Sequence, residues 1–132
     1  MADKFNRNFD LDLPAGLDRA LLRTLSFHVG RERAILRSDL LQAISLLGFN
    51  VSERAMRAQI SQLRKAGHLI CSAPGENGGY YLPATPEEFD EFVQQEYRAK
   101  IVDMQETLSA MQKSAERTWG RYSPSRQLSL FG

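Results

Sequence analysis

His68 and Cys71 are the only pair in the chain with ligand-like spacing, and two ligands do not make a structural zinc site. One cysteine excludes an internal disulfide and any multi-cysteine metal centre. No Gly-x-Ser-x-Gly elbow, Walker-type phosphate loop or His-Glu-x-x-His pair is present, so neither catalysis nor a metal or cofactor is expected. The side chains that remain for chemistry are recognition groups. One set is basic and amide-bearing, on a helix over 53–66. The other is the apolar C-terminal run Gln127-Leu128-Ser129-Leu130-Phe131.

On the 53–66 helix, Met56, Ile60 and Leu63 share one narrow stripe at about 100° per residue and are expected in the core. Opposite them fall Arg54, Ala58, Ser61 and Lys65, flanked by Arg57 and Gln62. This face is expected to be free of acids. Arg and Gln can make paired hydrogen bonds to base edges, and small Ala58 and Ser61 would permit close approach to a groove floor. Arg31, Arg33 and Arg37 precede the helix before it and would reach flanking phosphates.

Charge must be counted by segment. The 132 residues carry 17 Lys and Arg against 16 Asp and Glu, a net +1. Coating of nucleic acid by bulk charge is thereby excluded. Residues 31–67, however, hold seven basic and three acidic residues, and residues 86–120 hold four and eight, so a +4 stretch is offset by a −4 stretch. No apolar run approaches the ~18 residues of a membrane span, and Met1 to Pro14 has no signal-like apolar core. No membrane association and a cytoplasmic location are expected.

The elements that must position these groups follow from periodicity and capping. Residues 1–14 read as a flexible arm. A helix starts at Leu17, with Leu17, Leu21, Leu22 and Leu25 on one face, and ends near Gly30. Ala34-Ile35-Leu36 reads as a small strand. Ser38 is the expected cap of a second helix that buries Leu40, Leu41, Ile44 and Leu47 and stops at Gly48. Ser52 caps the third helix and Gly67 closes it. His68–Cys71 and Tyr80–Leu82 read as strands around the loop Pro74-Gly75-Glu76-Asn77-Gly78-Gly79. Thr85-Pro86-Glu87-Glu88 is a capping box opening one long helix to Trp119, stopped by Gly120.

Helix, short strand, helix, turn, helix, strand, glycine loop and strand, in that order over 17–82, resemble the winged helix-turn-helix family of DNA-binding domains. The short Gly48–Ser52 turn, Leu63-x3-Gly67-x2-Ile70 and Gly78-Gly79-Tyr80-Tyr81-Leu82 carry the resemblance. It implies a mainly α fold with a small β-hairpin wing, and makes 53–66 the recognition helix in the major groove of duplex DNA. The wing holds Glu76 as its only charged residue, which argues against a basic wing in the minor groove. Winged helices that only dock proteins exist too, and that alternative stays open.

Tyr97, Ile101, Met104, Leu108, Met111, Ala115 and Thr118 advance in alternating steps of four and three, a coiled-coil heptad seam. The long helix either dimerises the chain or packs on its own body. A two-fold dimer would favour paired half-sites. After the linker from Arg121 to Arg126, Gln127-Leu128-Ser129-Leu130-Phe131 resembles the short peptide by which bacterial replication and repair proteins bind the DNA sliding clamp. The resemblance implies that Leu130 and Phe131 fill an apolar pocket while the Gln127 amide bonds at its rim, with Leu128 and Ser129 completing the motif. The expected organisation is an arm (1–14), a winged-helix domain (15–84), a dimerising acidic helix (85–120) and a clamp-binding tail (121–132). The expected function is a DNA-binding adaptor in replication or its control in a bacterium, phage or mobile element. A dimeric transcriptional regulator, or a docking module that occupies or inhibits the clamp, are the rivals.

Overall fold

The computed structural model describes residues 13–75 and 78–120. The expectations placed on residues 1–12, on Glu76 and on the 121–132 tail lie outside the described residues. What is described is mainly helical, with a small three-stranded antiparallel sheet and a long C-terminal helix.

Helix α1 (Leu17–Leu25) buries Leu17, Leu21 and Leu25 completely, as its spacing predicts. A 3-10 turn at Arg31–Arg33 leads into β1 (Ile35–Leu36) and then directly into α2 (Arg37–Leu46). Ser38 therefore does not cap α2. The residue before the helix is Leu36, in extended backbone and with no side-chain cap bond. The cause is tertiary: Leu36 is paired with Gly79, so the end of the strand sets where the helix begins. Leu40 and Ile44 enter the core, but Leu47, expected there, is exposed because it sits past the last helical turn as the C-cap.

Gly48 reverses the chain in left-handed backbone (φ +98°), and the Phe49 N–H returns to the Ile44 carbonyl at 3.0 Å. The Ser45 hydroxyl donates to Asn50 Oδ1 at 2.9 Å, clipping the turn. Ser52 Oγ accepts from the Ala55 N–H at 3.1 Å and starts α3 (Glu53–Lys65). Met56, Ile60 and Leu63 form the expected buried stripe, joined by Ile70 and by Tyr80, the latter from a sheet strand.

Strand β2 (Cys71–Ser72) and strand β3 (Gly79–Tyr81) complete a sheet of order β1-β3-β2, with Ile35 opposite Tyr80 and Cys71 opposite Tyr81. The strands are shorter than expected. His68 and Leu69 remain exposed, and Leu82 forms an isolated parallel bridge to Val29. Gly79 is required by close approach: a Cβ there would strike the Ile35 carbonyl of the neighbouring strand. Gly79→Ala is expected to force β1 and β3 apart and to lower stability by about 1–3 kcal/mol, read as a shift of the urea midpoint at unchanged slope.

The expected single helix from Pro86 to Trp119 is three segments. Helix α4 (Pro86–Phe92) is followed by a π-helical stretch, Val93–Arg98, and then by α5 (Ala99–Trp119). Wider π turns accommodate the steps of four that run through Phe89, Val93, Tyr97 and Ile101. The Thr85 hydroxyl accepts from the Glu88 N–H at 3.1 Å, but the Glu88 carboxylate does not return to Thr85. It accepts instead from the Ala84 N–H at 3.2 Å and the Arg31 N–H at 3.0 Å. Two compact units result, one up to Phe92 and one from Val93. The turns after Pro86 thus belong with the body, where Phe92 is buried, and not with the long helix.

Candidate nucleic-acid interface

Helix α3 is anchored by its buried stripe and its Ser52 cap, so its solvent face has a fixed direction. Arg54, Arg57, Gln62 and Lys65 are exposed on it and Ser61 is half-buried. These five are brought together as expected. Ala58 is not: it is 7% exposed, and Ala55 and Gln59 are buried beside it. Ala58 falls between exposed Gln62 and Lys65 on the helix, and a methyl group has no reach past its longer neighbours. An acid borders the face at Arg57. Glu53 Oε1 receives Arg57 at 2.8 Å, both side chains being about half exposed. Such an exposed pair contributes little to stability, and Arg57 can leave it at small cost.

Arg31 and Arg33 are exposed on the 3-10 turn. That turn is tied down by Gly30 N–H to the Leu82 carbonyl (2.7 Å), Arg31 N–H to Glu88 and a 2.8 Å bond between His28 Nδ1 and the Arg33 carbonyl, with Leu82 N–H returning to the His28 carbonyl (2.9 Å). Arg37 is half-buried at the start of α2 and donates to the Gly75 carbonyl at 3.1 Å, tying α2 to the loop between β2 and β3. It is a brace for that loop as well as a charge.

Arg64 is one of the seven basic residues of 31–67, but its guanidinium turns inward. Nε donates to the Ile70 carbonyl at 2.7 Å and Nη2 to Ser72 Oγ at 3.3 Å, and the group lies 5.3 Å from the Phe92 ring centroid. Its only sequence signal is its position three residues before Gly67, too little to separate it from Lys65.

Among the described residues, no cluster of His, Cys, Asp and Glu is arranged to hold a metal. His68 is exposed while Cys71 is fully buried. Burial pushes the Cys71 thiol up to about 11, outweighing the nearby Arg64. In the unfolded chain the thiol ionises first, so its contribution to stability is complete below its ordinary value of 9.0 and is lost as pH rises towards 11. The urea midpoint is expected to fall over that interval, with the fall reduced in Cys71→Ala.

The surface also exposes three large apolar side chains, Phe27, Leu46 and Leu47. Phe27 and Leu47 line a groove with Phe49, flanked by Arg19 and Arg23. No helix among the described residues is long and apolar enough to cross a membrane.

Comparison with protein-family models, with curated proteins and with solved structures finds no match.

Proposed function

We propose that the chain is a DNA-binding adaptor, a winged helix-turn-helix that engages duplex DNA through α3. It pairs with a second copy through α5, and binds a bacterial-type DNA sliding clamp through Gln127, Leu128, Ser129, Leu130 and Phe131. Its place would be DNA replication or its control in the cytoplasm of a bacterium, or on a phage or mobile element, with no catalytic step and no cofactor. The observation that carries the DNA reading is the solvent face of α3: Arg54, Arg57, Gln62 and Lys65 stand together on a helix anchored behind a tight turn. The element order supports the same reading, since the turn precedes α3 and a short hairpin follows it. Exposed Phe27, Leu46 and Leu47 favour a second reading, a module that docks proteins through this body and leaves DNA alone.

One binding assay separates them. The full chain is titrated against a bacterial sliding clamp, against duplex DNA, and against both. The adaptor reading expects binding to each and tighter binding to the clamp on DNA, because joined contacts raise effective concentration. Clamp binding without DNA retention supports the docking module. DNA retention without clamp binding supports a transcriptional regulator.

A further inference from the structure

No residue of α5 is buried, and Met104 and Met111 on its seam are each 67% exposed. Lys100, Asp103, Glu106, Lys113, Glu116 and Arg117 all lie off the seam. A shallow groove follows its C-terminal half, past Leu108, Met111, Ala115 and Trp119. The seam is also tapered: Ile101, Met104 and Leu108 are large, whereas Ala115 and Thr118 are small. A parallel, in-register pair would set Ala115 on Ala115 and Thr118 on Thr118, leaving one end underpacked. Reversing one helix puts the small end of each copy against the large end of the other. The π-helical stretch ends at Arg98, so the regular turns that heptad packing needs begin with α5, and this limits the register.

Resting on the pairing reading above, we infer that two copies join α5 antiparallel. Ile101 packs on Thr118 of the partner subunit, Met104 on Ala115 of the partner subunit, and Leu108 on Met111 of the partner subunit. The flanking positions agree with this register. Gln105 meets Gln112 of the partner subunit, and Trp119, 71% exposed in the single chain, lies beside Arg98 of the partner subunit, a cation against an indole face.

The test is cross-linking in the full chain. Cys71 is buried and stays out of the reaction. Met104→Cys and Ala115→Cys proteins are mixed and oxidised with diamide, and each is oxidised alone. The antiparallel register expects a disulfide-linked heterodimer in the mixture at tenfold or greater excess over either single sample, because Met104 of one chain lies about 16 Å from Met104 of the other. Self-linking of Met104→Cys at the same yield as the mixture means parallel pairing and overturns the inference. Sedimentation at ~100 µM separates the two levels: a monomer removes the pairing reading and the inference with it, while a dimer with the wrong linkage removes the orientation alone. Arg98→Ala supplies an independent readout, since Trp119 is the chain's one tryptophan. Acrylamide quenching of the dimer is expected to rise in that variant, and an unchanged value overturns the register.

Discussion

Replacing Leu130 and Phe131 together with alanine is expected to abolish measurable binding to a bacterial sliding clamp while leaving the fold untouched. The two side chains are the apolar groups at the end of a motif whose other members are an amide, a second leucine and a hydroxyl. Anchors of this kind contribute about 2–4 kcal/mol each when truncated, so a double truncation lowers affinity by a factor of about a thousand or more. A short peptide also loses conformational freedom on binding, which leaves a single copy only a modest starting affinity. The measurement is a clamp titration with the full chain and with a peptide of residues 120–132. Circular dichroism of the double variant checks that the helices persist. Equal clamp binding by wild type and variant would falsify the assignment of the tail, and the rest of the molecule would then have to be read as a regulator without a clamp.

Arg57→Ala combined with Lys65→Ala is the second large effect. Both side chains are exposed on the α3 face, and neither belongs to the core. Each contact to a base edge or phosphate is worth about 1–3 kcal/mol, so retention of duplex DNA should fall by at least about thirtyfold. The slope of log affinity against log salt should become shallower by about two if both side chains sit on phosphates. Arg57 begins in an ion pair with Glu53, so part of its contact energy is offset by leaving that pair. Glu53→Gln releases it, and a modest gain in DNA affinity is expected. Unaltered retention and slope in the double alanine variant would leave α3 as a solvated helix, and exposed Phe27, Leu46 and Leu47 would become the side chains to pursue.

Several features were legible in the residues because they depend on neighbours within one helical turn. Met56, Ile60 and Leu63 repeat at the helical period, and that alone predicts which side of α3 is buried. Ser52 and Thr85 are short polar side chains placed to accept from an N–H three residues on, and both do. Gly48 supplies the left-handed backbone that ends α2 and makes the turn. Four exposed residues of the candidate interface, Arg54, Arg57, Gln62 and Lys65, followed from the same local periodicity.

Other features needed the chain brought together. Arg64 and Lys65 are adjacent and alike in charge, yet Arg64 is drawn inward by the Ile70 carbonyl and the Phe92 ring while Lys65 stays in solvent. Ala58 is 7% exposed although it falls among exposed Arg54, Gln62 and Lys65. Ser38 loses its capping role because Leu36 is committed to Gly79 across the sheet. Glu88 reaches Arg31, 57 residues earlier in the chain, which no local capping rule contains. Helical periodicities, the Ser52 and Thr85 caps and the Gly48 turn follow from the residues alone, since they are set by interactions within about one helical turn. Which basic side chains face solvent, and where the long helix separates from the unit ending at Phe92, depend on partners distant in sequence that compete for the same hydrogen bonds and the same buried volume.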